Sequence, residues 1–286
     1  MQKKSNFLEA AEACIANGKR LLDDADWVLH TENPAATSFA LAMIAQEEFA
    51  KAFLLFLVDR GVIDWNSFLH RAMRDHTCKQ LLGLVLNHLA PDWDEEEKRH
   101  KEWRADLDEH RRLIDEYKGS SDKGAQERIW KRIEEISGKW DSLPPAIADA
   151  IFILRHEKIG RWESSTWCWA EEPTYDPLAK GLADGKLDRK KQDALYVRLG
   201  SDGQVANTPL GVRHDDAKTA MENADRMRFF VEYMFDRTPG STEYEKIESA
   251  FKTVFATSEK QGAGNRAEQP TIAVNPDCHD RTNHIG

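Results

Sequence analysis

Two short groups of charged residues interrupt apolar stretches of this 286-residue chain, and their side chains could do acid–base chemistry. The first group holds Glu47, Glu48 and Lys51 within a run rich in alanine, phenylalanine and leucine. Because side chains three and four positions apart share a helix face, Lys51 can pair with either acid. The second group holds His76 and Lys79. An imidazole titrates near neutral pH and can move a proton, and an ammonium can bind phosphate oxygens.

The hydrophobic pattern puts both groups on long helices. The spacing of apolar residues predicts three helices, over residues 6–30, from Pro34 to about Arg60, and from a cap at Asp64 to about Leu89. The second is apolar around most of its circumference, so at least one of its acids should lie beside the core, with Lys51 as its local partner. If the second and third helices pack antiparallel, the acid–lysine pair meets His76 and Lys79.

The middle of the chain carries three further patterns. Residues 94–140 combine many charges with narrow apolar seams, which predicts an inserted helical hairpin with solvated outer faces. Pro144-Pro145 begins another helix, which runs to about Gly160. Residues 161–190 contain many turn residues and three tryptophans, so we expect them to pack over the helical body without forming an element.

The last third contains one extended segment and two helices. Residues 195–199, followed by a turn at Asp202-Gly203, predict a short extended stretch of hairpin type. Apolar spacing then predicts a helix from Asp215 or Asp216 and another from Thr242 to Phe255. The residues from 258 onward are rich in Gly, Asn, Asp, Gln and Pro, which predicts a disordered tail. The expected architecture is a single helical body over residues 1–257.

Composition and charge exclude several classes of protein. The 40 basic and 50 acidic side chains give a net charge of −10, which argues against charge-driven coating of nucleic acid but allows a local basic cleft. No apolar run is long enough to span a membrane, and the start does not resemble a signal peptide. The four cysteines are far apart in sequence, which favours reduced thiols in a cytoplasmic protein and disfavours a cysteine-based zinc site.

At the two charged groups the sequence resembles the AbiV family of bacterial abortive-infection proteins, a branch of the HEPN superfamily. The segment 42–52, Ala-Met-Ile-Ala-Gln-Glu-Glu-Phe-Ala-Lys-Ala, is similar to the family's Ala-Ile-Glu-Glu-Leu-Gly-Lys string, with alanine in place of glycine. Residues 76–79 match its His-x-x-Lys. Residues 191–197 and Thr208-Pro209 are similar to its Leu-Tyr-Val segment and downstream proline. The resemblance covers roughly residues 10–235.

The resemblance implies an all-α HEPN-type bundle, often dimeric, that acts in defence against phage. Many HEPN proteins are metal-independent ribonucleases whose motif is Arg, four to six residues, then His. The chain offers Arg71 with His76, and Arg104 with His110. The first pair overlaps the family-like motif, so His76 is the expected acid–base and Arg71 its catalytic partner. Because five positions on an ideal helix put two side chains about 140° apart, the pair cooperates only if the helix is distorted or if Arg71 serves the other protomer.

Other residues are expected to support this site. Lys79 and Lys51 are the expected phosphate contacts, with Glu47 or Glu48 orienting Lys51 or His76. The basic residues that end the helix after Pro145 either contact RNA or complement the helix dipole; they are Arg155 and Lys158. We expect no cofactor and no metal, because Glu97 to His100 is a lone E-x-x-H and a di-iron bundle needs two.

Three alternatives remain open at this stage. The charged residues could be a buried ion-pair network that only sets the helix register. The protein could be a non-catalytic effector that binds a phage protein through residues 162–169 or the 94–140 hairpin, or a nucleotide sensor that uses the same polar pocket. The leading expectation is an endoribonuclease that acts on tRNA, mRNA or rRNA as a homodimer and is triggered by a phage protein.

Overall fold

The computed structural model describes residues 5–31, 35–90, 93–160, 174–237 and 240–256. These residues form eleven α-helices, one π-helical turn, one 3-10 turn and a two-stranded sheet. The elements are α1 (Asn6–Leu29), α2 (Ala35–Asp59), α3 (Ser67–Arg74), α4 (His76–Leu89), α5 (Trp93–Gly119), α6 (Lys123–Asp141), α7 (Pro145–Ile153), the π-helical turn (Leu154–Lys158), α8 (Pro177–Ala183), α9 (Lys186–Leu195), β1 (Arg198–Leu199), β2 (Val205–Asn207), the 3-10 turn (Pro209–Gly211), α10 (His214–Asp236) and α11 (Thr242–Phe255). The predicted all-α fold is confirmed.

Helix α2 is the centre of the body. It packs against α1, α4, α9 and α10, and most of its residues are buried. Its contact with α1 is close at Gly18, where an added Cβ would lie 2.6 Å from the ring of Phe49, so only glycine fits there. A charged side chain on such a helix must either reach the surface or find partners inside.

The predicted third helix is in fact two helices. Asp75 adopts an extended conformation with φ −81° and ψ 126°, and its carboxylate accepts a hydrogen bond from the backbone N–H of Cys78 at 2.9 Å. Asp75 is therefore the N-cap of α4, a role that aspartate performs well. Asn66, and not Asp64 as expected, caps α3 through the N–H of Leu69. His76 becomes the first residue of α4 as a result.

The charged hairpin is confirmed as α5 and α6. The two helices bury a small seam of their own between solvated faces; the fully covered residues are Leu113, Ile129, Ile133 and Ile136. Arg132 pairs with Glu109 across the seam at 3.1 Å. The narrow apolar stripe visible in the sequence is thus enough to hold this hairpin together.

The expectation that residues 161–190 form no element is wrong for the described part of that segment. Pro177 begins α8, where its missing N–H costs nothing, and Asp176 caps the helix through the N–H groups of Leu178 and Ala179. Gly185, with φ of 72°, connects α8 to α9. Proline and glycine at these positions mark helix boundaries here.

The remaining predictions concern the end of the chain. The extended stretch is confirmed, because β1 and β2 pair antiparallel with Arg198 opposite Asn207. The tryptophans at 162, 167 and 169 and the predicted tail from 258 lie outside the described residues. None of the described helices combines the length and the apolar character that crossing a membrane requires.

Candidate functional site

Glu47 is the centre of a buried group of charges. Its side chain is 3% exposed, and its Oε2 lies 2.7 Å from Nδ1 of His76 and 2.7 Å from Nζ of Lys79. Its Oε1 lies 2.6 Å from Nζ of Lys191. These residues come from α2, α4 and α9, so three helices meet at one carboxylate. Together with Asp188 they are called the Glu47 cluster below.

Lys191 connects the cluster to a second acid. Its ammonium lies 2.6 Å from Glu47, 3.0 Å from Asp188 Oδ1 and 3.1 Å from His76 Nδ1. Asp188 and Lys191 are three residues apart on α9 and therefore share a face. The cluster holds two carboxylates and two ammonium groups, so its charges balance when His76 is neutral.

The two lysines keep Glu47 ionised. Burial by itself raises the pKa of a carboxyl group, because it disfavours the charged form. The hydrogen bonds from Lys191 and Lys79 outweigh burial, and the pKa of Glu47 falls below its ordinary value of 4.5. Glu47 is therefore a carboxylate at neutral pH and can only accept hydrogen bonds.

This ionisation determines the tautomer of His76. Since a carboxylate has no proton to give, the short contact at 2.7 Å requires that Nδ1 of His76 carries the proton and donates it. In the neutral ring Nε2 is then the basic nitrogen. The side chain is 56% exposed, although Nδ1 faces the interior. A buried carboxylate that orients an exposed imidazole is the arrangement that lets a histidine act as a general base.

The second acid of α2 belongs to a separate pair. Glu48 forms an ion pair with Lys51 at 2.5 Å, which is one of the two pairings that the spacing allows. The pair lies beside Cys14, whose pKa burial raises to about 11. Adjacent residues on a helix point about 100° apart, which is why Glu48 and Lys51 do not reach the Glu47 cluster.

Arg71 and Lys158 lie near Cys78, close to the start of α4. The pKa of the Cys78 thiol is raised to about 12, first by burial and then by Asp75, and the positive charges of Arg71 and Lys158 both oppose that rise. The break at Asp75 removes the ideal-helix geometry that separates Arg71 from His76. No side-chain hydrogen bond or ion pair joins Arg71 or Lys158 to another described residue.

Arg155 and Lys158 belong to the π-helical turn that follows α7. Such turns are rare and occur frequently at functional sites. The turn packs against α4. Arg155 is half-buried.

A comparison with family profiles gives one match. The profile HEPN_AbiV, described as AbiV, matches residues 6–228 and so includes every member of the Glu47 cluster. The chain belongs to the AbiV family. It is therefore an abortive-infection defence protein of the HEPN superfamily. No curated protein and no solved structure matches the chain.

Sequence reasoning missed two members of the cluster in this AbiV protein, Asp188 and Lys191. Their helix, α9, was not predicted, because residues 161–190 were expected to form no element and residues 195–199 an extended stretch. Two signals were present: Lys191 begins the family-like segment 191–197, and an acid three residues before a lysine predicts a pair on one helix face. Neither signal says that the pair meets Glu47, 144 residues earlier in the chain.

Proposed function

We propose that this AbiV protein is a metal-independent endoribonuclease with His76 as its acid–base. The observation that carries the proposal is the hydrogen bond from Nδ1 of the half-exposed His76 to the buried carboxylate of Glu47. The bond leaves Nε2 as a basic nitrogen on the outer side of the ring. A positioned histidine of this kind contributes about 10²- to 10⁴-fold to a reaction that moves a proton.

The reaction needs no external co-reactant. Nε2 of His76 takes the proton from an RNA 2′-hydroxyl, and the 2′ oxygen attacks the adjacent phosphorus. The bond from phosphorus to the 5′ oxygen breaks, which leaves a 2′,3′-cyclic phosphate and a 5′-hydroxyl. The departing oxygen takes its proton from water or from the imidazolium of a second copy of the chain.

The lysines and arginines have two different roles in this proposal, according to how deeply they are buried. Lys79 and Lys191 are almost fully buried against Glu47, so in this proposal they hold the carboxylate ionised and thereby orient His76. Phosphate contact falls to cations near the start of α4, of which Arg71 and Arg74 are exposed and Lys158 is half-buried. Arg71, Arg74 and Lys158 have no acidic partner among the described residues, so their charge is available to an anion. A local basic surface of this kind offsets the net charge of −10.

The runner-up is a non-catalytic effector that binds a protein. Large apolar side chains are exposed along the segment that follows α9, here called the hairpin surface; they are Leu195, Tyr196, Val197, Leu199, Val205 and Leu210. Contiguous apolar surface of this kind marks interaction sites.

We propose that a second copy of the chain covers the hairpin surface. The described β1–β2 sheet has two strands and hence two outer edges, and antiparallel pairing of equal edges is self-complementary about a two-fold axis.

The test of catalysis uses purified wild type, His76→Ala and His110→Ala with total tRNA and ribosomes in EDTA. His110 belongs to the other Arg–His motif of the chain and serves as the matched control. We expect wild type and His110→Ala to leave cyclic-phosphate ends, and His76→Ala to cleave about 10²- to 10⁴-fold more slowly. Circular dichroism and thermal melts show whether the three proteins are equally folded.

A second assay covers the case in which purified protein needs a trigger. Cells that express each variant are infected with phage, and survival of the culture is measured. Loss of protection in His76→Ala alone supports the proposal. Full protection by a folded His76→Ala rejects catalysis by this residue and favours the protein-binding effector.

The hairpin surface has its own test. Light scattering should give a dimer for wild type and a monomer for Leu199→Asp with Val205→Asp, whereas Phe229→Asp, an exposed site on α10, should remain dimeric. A wild type that is monomeric at all concentrations, combined with capture of a phage protein that the double variant loses, assigns the surface to that partner.

A further inference from the structure

The ammonium of Lys191 lies among three side chains that could together hold a metal ion. Glu47, His76 and Asp188 each offer one ligand atom, and these atoms lie within 4.8 Å of one another. Two carboxylates and an imidazole are ligands that zinc and other first-row divalent ions use. The ammonium of Lys191 contacts all three groups, at 2.6, 3.1 and 3.0 Å.

We propose that Lys191 is a tethered replacement for a divalent cation, which organises these three groups and keeps metal ions out of the cluster. The proposal does not depend on RNA cleavage, because it concerns which cation the three groups bind. It predicts that loss of the ammonium turns the cluster into a metal site, which can be tested without any RNA substrate.

The charges explain why a metal ion cannot share the cluster with Lys191. With both lysines in place, the carboxylates of Glu47 and Asp188 are already balanced. A divalent ion would add two positive charges within a few ångströms of both ammonium groups, in a buried place where charges are poorly screened. The Lys191 side chain is only 7% exposed, so its ammonium cannot move into water without leaving the helix packing around it.

The same charge balance predicts that the Lys191→Met variant binds a divalent ion. Two carboxylates then face the single charge of Lys79, and a divalent ion makes up the difference. Metal–ligand bonds of about 2.0–2.2 Å are shorter than the present ammonium contacts, so the ligands must close in slightly. His76 must also carry its proton on Nε2 instead of Nδ1, so that Nδ1 is free to bind the ion.

The experiment titrates Co²⁺ into full-length wild type, Lys191→Met and Lys191→Arg, and records visible absorption. Zn²⁺ is added in parallel thermal melts. We expect Lys191→Met to bind one ion at least about tenfold more tightly than wild type and to gain several degrees of Tm with Zn²⁺. Lys191→Arg keeps a cation in the cluster and should behave like wild type. The double variant Lys191→Met with His76→Ala loses a ligand, so its Co²⁺ bands should disappear.

Two results would overturn the proposal. Wild type that binds Co²⁺ as tightly as Lys191→Met shows that Lys191 does not exclude metals. A folded Lys191→Met that binds no ion shows that these three groups are not a latent metal site. Co²⁺ bands that persist in the double variant with His76→Ala show the same. If Lys191→Met does not fold, Lys191→Gln removes the charge while keeping a polar group, and it is judged by the same two results. RNA cleavage is not read in this experiment, so its outcome is separate from that of the nuclease proposal.

Discussion

Glu47 and Glu48 are neighbours on one helix, yet they belong to very different ion pairs. Glu48 pairs with Lys51, one turn away on the same helix, and both side chains keep some contact with water. Glu47 is almost fully buried, and its partners come from α4 and α9. The Glu48–Lys51 pair depends on local helix geometry alone, whereas the Glu47 cluster exists only when three helices have packed.

The difference shows what a buried charge demands of a fold. A pair that keeps some contact with water is partly screened, so it contributes less and tolerates the loss of one member better. A buried carboxylate must be given several partners, and removing it leaves those partners unpaired. The Glu47 cluster therefore affects both the stability of the fold and the orientation of His76. The Glu48–Lys51 pair does not contact His76 and affects stability less.

The largest effect expected from this comparison is that of Glu47→Gln. The change leaves two buried ammonium groups around a neutral amide, so we expect a loss of about 3–5 kcal/mol in the free energy of unfolding. Glu48→Gln should cost below about 1 kcal/mol. Urea unfolding followed by circular dichroism measures both. Equal losses in the two variants would contradict the distinction between the two acids.

The second prediction uses pH. Because the folded pKa of Glu47 lies below its ordinary value of 4.5, its ionisation stabilises the protein above that pH and this contribution is lost as the pH falls through the folded pKa. The stability gap between wild type and Glu47→Gln should therefore narrow below about pH 4.5. Chemical unfolding between pH 3 and 7, values chosen on either side of about 4.5, measures the gap. A gap that is constant with pH means that Glu47 is not ionised in the folded state.

The third prediction concerns the cap that places His76 at the start of α4. Asp75→Ala and Asn66→Ala each remove a side-chain N-cap, which should cost about 1 kcal/mol; Asn66→Ala should cost somewhat more, because the Asn66 amide also donates to the carbonyl of Phe255. Only Asp75→Ala should also lower activity, since only that cap adjoins His76. Thermal melts and the phage-protection assay compare the two. An equal loss of protection in both variants would mean that stability alone controls it.

The smallest effect is expected for Lys51→Met. The side chains of Lys51 and Glu48 are 22% and 13% exposed, so water screens the pair only in part; its loss should cost at most about 1 kcal/mol and leave protection against phage unchanged. This variant also tests the sequence-based expectation that Lys51 contacts phosphate. If Lys51→Met abolishes protection while the melting temperature stays the same, Lys51 belongs to the working site after all.

Local rules were enough to predict much of the fold. Apolar spacing predicted α1, α2 and the α5–α6 hairpin, and antiparallel packing of the second and third predicted helices was the condition under which an acid–lysine pair would meet His76 and Lys79. The same rules missed the break at Asp75, because the polar run at residues 74–77 was interpreted as a charged group on one continuous helix. They missed Lys191 because its contact with Glu47 spans 144 residues, and no spacing rule reaches so far.

The long sequence separation of Lys191 from its partners also means that the Glu47 cluster is completed late in translation. Lys191 follows His76 by 115 residues, which a ribosome takes about 6 to 23 s to add. During that interval Glu47 lacks one of its cations and α9 does not yet cover the imidazole, so the Glu47 cluster is incomplete on the nascent chain. Under the proposed RNA cleavage, the nascent chain would therefore leave the message and the ribosome that produce it intact until most of its length has emerged.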